Sequence, residues 1–301
     1  MKAVVLTAYG DVDKLELREV PDPKMGPGEI KVRMAGASIN PVDWKQRSGA
    51  IAKYMPLDLP AVLGRDASGE VVEVGAGVTA FKVGARVLGR VMGGYAELVV
   101  APVDCWAEVP AKMDLADAGA LPLVLLTGAQ LIGEAANVAK GQLVLVTGAL
   151  GSVGRVAVYV AKARGAKVYA GVRRKQKAEA AKLGADVVVA LDDADELGPL
   201  PQLDAIADTV GGETIQKLLA KVKSGGTIGS VVGEPAGAKE RGLTVRGMLT
   251  HSDPKRLGEL AQAVADGKLV VPIARRFPLA QAGEAQKVAE AGAGGKVVLI
   301  G

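Results

Sequence analysis

The sequence of 301 residues predicts an α/β protein: a β-barrel-type domain joined to a doubly wound domain with a parallel sheet. Three observations carry this expectation. An apolar strand, Leu143-Val144-Leu145-Val146, runs straight into a glycine turn, Gly148-Ala149-Leu150-Gly151-Ser152-Val153-Gly154, with a helix-like segment after it. From about residue 120 to 265, strand and helix patterns alternate. Before that stretch, short strands are cut by proline and glycine turns.

In the first stretch, Val4–Leu6, Ile30–Met34, Ala67–Val74, Arg86–Arg90 and Tyr95–Val100 read as strands. Pro21-Asp22-Pro23, Gly26-Pro27-Gly28, Gly75-Ala76-Gly77 and Gly93-Gly94 separate them. Asp114 is an N-cap candidate for a helical stretch that starts before Gly119. Strands are expected at 143–147, 167–172, 186–191, 204–209, 226–232 and 244–250, and helices at 152–164, 175–183, 213–222 and 254–266. Successive β-α units of this kind build a parallel, doubly wound sheet. The tail reads as a strand, Lys268–Val271, a helix, Ala280–Ala291, and a strand, Lys296–Ile300. It is short for a domain and is expected to fold back onto the first one. The division is therefore 1–119 with 266–301, and 120–265.

Composition narrows the class. Apolar residues are 49% of the chain, charged residues 23% and aromatics only 3%, so Val, Leu, Ile and Ala must build the core. The net charge of +4 comes without a Lys/Arg-rich run or interleaved aromatics, which argues against a nucleic-acid surface. The N-terminal apolar run is too short for a signal h-region and soon meets Asp11 and Asp13, and no stretch is expected to approach membrane-span length, so a cytoplasmic protein is expected. One cysteine, Cys105, excludes an intrachain disulfide. With a single histidine, His251, it leaves too few ligands for zinc, and no metal is expected.

The glycine turn carries the chemistry. In a chain with 40 glycines the spacing alone is weak, and an incidental turn is the bland alternative. Its place between a strand and a helix is what makes it specific. There, glycines allow close approach of a pyrophosphate to free N–H groups at a helix N-terminus. Gly148, Leu150, Gly151, Ser152, Val153 and Gly154 are the binding candidates. An NAD site usually ends its second strand with an acid that takes the ribose 2′-hydroxyl. Here Gly171-Val172 leads to Arg173-Arg174, with Lys175 and Lys177 beyond. Cations at a helix N-terminus are unfavourable unless an anion sits among them, so NADPH is the expected cofactor, with Arg173, Arg174 and Lys177 on its 2′-phosphate. A solvated basic face is the alternative.

Further motifs carry a resemblance. Asn40-Pro41-Val42-Asp43-Trp44-Lys45, Gly64-Arg65-Asp66-Ala67-Ser68-Gly69, Gly84-Ala85-Arg86-Val87, Leu126-Thr127-Gly128-Ala129-Gln130, Asp208-Thr209-Val210-Gly211-Gly212 and Gly295-Lys296-Val297-Val298-Leu299 occur in this order. With the glycine turn, they resemble the zinc-independent quinone oxidoreductases (zeta-crystallin-like) of the medium-chain dehydrogenase/reductase superfamily. The resemblance implies a discontinuous GroES-like catalytic domain and an inserted Rossmann domain. It also implies a homodimer, to which the apolar strand Leu243–Leu249 would contribute a pairing edge. A monomeric mass at micromolar concentration in light scattering would exclude that dimer. Zinc members carry Gly-His-Glu where this chain has Gly64-Arg65-Asp66, a cysteine near Ser38-Ile39-Asn40, and a four-cysteine lobe where only Cys105 is found.

The implied activity is an NADPH-dependent, metal-free reduction of quinones or α,β-unsaturated carbonyl compounds. By resemblance, Asn40 is the cleft residue whose amide meets a substrate carbonyl and the cofactor, against the alternative of a simple turn. Tyr54 borders the substrate and is placed to donate a hydrogen bond or proton; packing is the alternative. Asp43 is read as a helix cap before a catalytic group, and Lys45 as solvated surface. Thr127, Val210, Val231, Val232, Gly233 and Lys296 are further cofactor candidates, with strand-end solvation the alternative for Lys296. His251 titrates near neutrality, but no acid is obviously placed to orient it. Two competing readings remain. One is an NADPH-binding sensory, structural or RNA-binding relative with little turnover. The other is an acyl-thioester reductase, for which Arg47 and Lys53 are scattered candidates.

Overall fold

The computed structural model describes all of residues 1–301. Two compact units divide the chain: Met1–Leu123 with His251–Gly301, and Val124–Thr250.

In the second unit, six parallel strands form one sheet: Leu143–Thr147, Lys167–Val172, Val187–Ala190, Leu203–Asp208, Val222–Ser230 and Thr244–Gly247. Counted along the chain, their order in space is third, second, first, fourth, fifth, sixth. The chain reverses direction across the sheet between Leu143–Thr147 and Leu203–Asp208, and this switch point is where such sheets bind ligands at the strands' carboxyl ends. Leu145, Ile206, Ile228, Ile215 and Leu218 belong to one buried cluster. The helix Ser152–Ala163 buries Val156, Ala157, Val158, Val160 and Ala161, matching its amphipathic sequence.

In the first unit, a seven-stranded sheet runs in the order Ile273–Pro278, Lys296–Ile300, Glu29–Ser38, Asp66–Val74, Arg86–Arg90, Trp106–Glu108, with Leu98–Pro102 also paired to Glu29–Ser38. Lys2–Leu6 forms a separate small sheet with Leu15–Glu19 and Ala61–Val62. Val32, Val71, Val87, Tyr95, Trp106 and Leu299 share the core. The C-terminal strand thus pairs with a strand from near the start of the chain.

Several expectations need correction. The helix Pro254–Ala265 lies in the first unit, so the observed boundaries are 123/124 and 250/251 rather than 119/120 and 265/266. Its Leu257, Leu260 and Ala261 are buried, and a Cβ added to Gly258 would lie 3.7 Å from Ala107 of the Trp106–Glu108 strand. Lys268–Val271 is not a strand; the strand is Ile273–Pro278, whose exposed Arg275 and Arg276 mask it from an apolar-run reading. The strand expected at 244–250 ends at Gly247. The helix expected at 175–183 is a single α-turn, Lys177–Ala180, between two 3-10 turns. One segment does reach membrane-span length: the 21 residues Leu115–Ala135, most of which are buried inside the protein. Its first part is the short helix Leu115–Ala118, capped by Asp114 as expected through a bond from Asp117 N–H.

A Cβ at Gly154 would come within 2.8 Å of Ala149 Cα and 2.9 Å of Gly148 C, so only glycine lets this helix seat on the turn. Gly154→Ala is therefore expected to cost about 2 kcal/mol in urea unfolding, and unchanged stability would show that the turn shifts freely.

Candidate functional site

The glycine turn is built for an anion. Gly148 has φ +61° and a Cβ there would fall 2.6 Å from Thr209 Oγ1, so a side chain is excluded twice over. Gly151 caps the Ser152–Ala163 helix without any side-chain bond, and the first turn holds no acid. The leading N–H groups of that helix are left without a side-chain acceptor. Arg155 Nε donates to Leu150 O at 3.0 Å and its guanidinium pairs with Glu179, which fixes the turn from beneath. These residues fit a dinucleotide pyrophosphate.

A buried carboxylate arranges the adjoining strand ends. Asp208 Oδ1 accepts from Thr147 Oγ1 at 2.7 Å and from the N–H groups of Val210 and Gly211 at 3.1 Å. Thr147 in turn receives Thr209 N–H at 2.9 Å. Val210 and Val232 are left exposed, Val231 N–H bonds Asp208 O at 3.1 Å, and Gly233 takes φ +111°. Thr127 is buried, with its hydroxyl 2.7 Å from that of Thr250.

The basic residues after the second strand are not equivalent. Arg173 is exposed and enters no ion pair. Arg174 pairs with Asp193 and its N–H bonds Asp192 Oδ1 at 2.7 Å, while Lys177 meets Glu196 at 2.6 Å. The crowding of cations that suggested a phosphate is thus relieved largely by acids from 192–196, and only Arg173 keeps a free guanidinium.

In the first unit, a buried polar cluster gathers residues far apart in sequence. Asp66 accepts from Ser38 Oγ at 2.5 Å, Asn40 Nδ2 at 2.8 Å and Leu123 N–H at 2.5 Å. Lys296 Nζ donates to Asn40 Oδ1 at 2.7 Å and to Ile39 O at 3.0 Å. Asp43 Oδ2 accepts from Asn40 N–H and Tyr95 Oη, each at 2.8 Å, capping the Pro41–Arg47 helix as expected. Burial pushes the Lys296 ammonium pKa down against the pull of Asp66 and Asp43. Burial likewise pushes Asp43 up, to about 6.

This cluster revises the expectation for Asn40 and sets aside the solvated alternative for Lys296. Asn40 is 1% exposed, and its amide is engaged at both ends, with Nδ2 also near Ser38 O at 3.2 Å, so it has no donor left for a substrate carbonyl. Lys296 is buried at the strand start, not solvated. Tyr54 is 79% exposed beside Lys53, so the two proposed catalytic residues sit in opposite environments. Lys45 is exposed, as expected, and His251 is exposed with Nδ1 3.2 Å from Ser252 O. The sequence places Asp66 and Asp208 in motifs without giving either a role, and gives none to Arg155. For Asp66 the adjoining Gly64-Arg65 motif was the available signal; for Asp208 it was the Thr209-Val210-Gly211 run.

The same cluster does not fit zinc. No three His, Cys, Asp or Glu side chains are grouped to hold a metal ion. Asp43 and Asp66 face the charges of Arg65 and Lys296, and Cys105 receives a bond from Ser252 Oγ.

Comparison with known proteins agrees with this architecture. Residues 26–111 match the alcohol dehydrogenase GroES-like domain, and residues 183–299 match a family described as zinc-binding dehydrogenase. The quinone oxidoreductase of Pseudomonas aeruginosa is 31% identical over 94% of this chain and 94% of its own length. The chloroplast envelope quinone oxidoreductase homolog of Arabidopsis thaliana is 36% identical over 63% of this chain, and the match spans only 60% of that relative's length. Among solved structures, the quinone oxidoreductase from Coxiella burnetii superposes with a TM-score of 0.90 at 30% identity, covering 100% of this chain and 99% of that one. A mycobacterial protein complexed with NADPH gives 0.84 at 29% identity, covering 100% of both chains. The chain belongs to the medium-chain dehydrogenase/reductase family, within its quinone oxidoreductase group.

Asp43 supplies a pH test. Its folded pKa, about 6, lies above the ordinary 3.8, so between those values the folded state holds an extra proton and stability falls as pH rises. Wild-type protein is expected to lose about 2 kcal/mol from this group between pH 4 and 6.5, and Asp43→Asn to flatten that slope in urea titrations. Equal slopes in the two proteins would contradict the assignment.

Proposed function

We propose that this protein is a metal-independent, NADPH-dependent oxidoreductase that reduces quinones or α,β-unsaturated carbonyl compounds. The observation that carries the reading is the uncapped helix N-terminus over the glycine turn, at the switch point of the parallel sheet. The quinone oxidoreductases it is similar to, and the related protein complexed with NADPH, support it. The nicotinamide, when bound, supplies hydride.

The chain's own residues bind and orient. Ser152, Val153 and Gly154 offer N–H groups to the pyrophosphate, and Arg173 offers its fork to the 2′-phosphate. Asp208 holds the Val210–Gly211 segment that frames the same strand ends. Asn40 is a positioned, saturated amide, and no step is assigned to it.

Initial rates with NADPH and NADH against matched quinones and enones, with a chelator present, test this directly. Turnover is expected to prefer NADPH and to ignore the chelator, while Arg173→Ala raises KM for NADPH about tenfold and leaves that for NADH unchanged. Loss of activity on chelation would contradict metal independence. Tight NADPH binding without turnover on any substrate would favour the non-catalytic reading.

A further inference from the structure

Met92 is the only exposed one of the chain's seven methionines; the other six are partly or wholly buried. Its sulfur nevertheless has a polar neighbour. Arg65 Nη1 lies 2.6 Å from Met92 Sδ, and this is the one hydrogen bond that the guanidinium makes. A thioether is a weak acceptor for a group that offers five N–H donors. Arg65 is 7% exposed, and burial pushes its pKa down against the pull of Asp43. A better acceptor beside it is therefore worth more than beside a solvated arginine.

The backbone around the sulfur is fixed. Val91 N–H donates to Arg65 O at 3.1 Å, Gly94 N–H to Gly64 O at 3.3 Å and Tyr95 N–H to Leu63 O at 3.0 Å. Gly64 takes φ +104°, and a Cβ there would fall 2.6 Å from Tyr95 Cδ1 and 2.9 Å from Gly94 N. The two segments thus pack backbone to backbone, with Gly93 turning the chain at φ +72°. Tyr95 leads on to the buried cluster, where its Oη meets Asp43. The Met92 side chain is the adjustable part, unbranched and with three rotatable bonds.

We propose that Met92 is an oxidation site: hydrogen peroxide converts its thioether to the sulfoxide, and the new oxygen accepts from Arg65, fastening the Val91–Tyr95 turn to Leu63–Arg65. A sulfur lone pair attacks one peroxide oxygen, and the S–O bond forms as the O–O bond breaks. The departing hydroxide takes the proton left on the new oxygen and leaves as water. Sulfur loses two electrons and peroxide gains them. Oxidation of a methionine inside a core disrupts packing, whereas this sulfoxide meets a donor already in place. The site is independent of the reductase reading, since it needs neither cofactor nor substrate.

Limited peroxide treatment followed by peptide mass mapping tests the site. Met92 is expected to gain one oxygen about tenfold faster than any other methionine. The singly oxidised protein should then melt about 2 °C higher than untreated protein, and Arg65→Gln should abolish that rise. Dithiothreitol reverses a sulfenic acid at Cys105 but not a sulfoxide, so the rise should survive it. Met92→Gln, which carries an amide oxygen in place of the sulfoxide oxygen, should melt above Met92→Leu without any oxidant. That comparison keeps the test open should Arg65→Gln fail to fold. Faster oxidation at another methionine would overturn the site. A melting point unchanged or lowered by oxidation, an equal rise in Arg65→Gln, a rise lost in dithiothreitol, or Met92→Gln no more stable than Met92→Leu would overturn the bond to Arg65.

Discussion

The Asp66 carboxylate, wholly buried, ties its own strand to two segments that sequence keeps apart, Ser38–Asn40 and Leu123. It receives the Ser38 hydroxyl, the Asn40 amide and the Leu123 N–H. A buried carboxylate is tolerated only when its lone pairs are filled and its charge is answered. Hydrogen bonds fill the first requirement. Lys296 meets the second, from the C-terminal strand, through Asn40 as the bridge. The amide of Asn40 is thereby fixed in orientation, with its oxygen toward the cation and its nitrogen toward the anion. This constraint seats the Pro41–Arg47 helix, since the same residue is the N-cap and shares a capping box with Asp43.

The second unit uses the same device for a different end. Asp208 is buried at the carboxyl end of its strand and gathers Thr147, Val210 and Gly211. There the carboxylate shapes loops beside a helix terminus that no side chain caps. In the first unit the buried Asp43 and Asp66 face the buried cations Arg65 and Lys296.

What could be read from sequence was local. The helix Ser152–Ala163, the strands Leu143–Thr147 and Lys167–Val172, and the Asp114 cap each carry their signal within a few residues, in apolar periodicity or capping chemistry. The pairing of Lys296 with Asn40 spans 256 residues and leaves no local trace. Nor does a sequence show that Arg174 and Lys177 find Asp193 and Glu196, which neutralises the cation excess first assigned to a phosphate. The helix Pro254–Ala265 was correctly placed along the chain but given to the other unit, because alternation of strand and helix does not reveal which sheet a helix covers. Ile273–Pro278 was missed because an edge strand with paired arginines lacks the apolar run that marks a central one.

The most direct test of the central constraint is a double-mutant cycle in urea unfolding, with Asp66→Asn, Lys296→Met and the pair combined. Each single change leaves the other charge buried without its partner and is expected to cost about 3 kcal/mol. The double variant should recover at least about 1 kcal/mol of their sum, because the two charges answer each other through Asn40. Strictly additive losses, or single variants as stable as wild type, would show that this buried pair does not organise the unit.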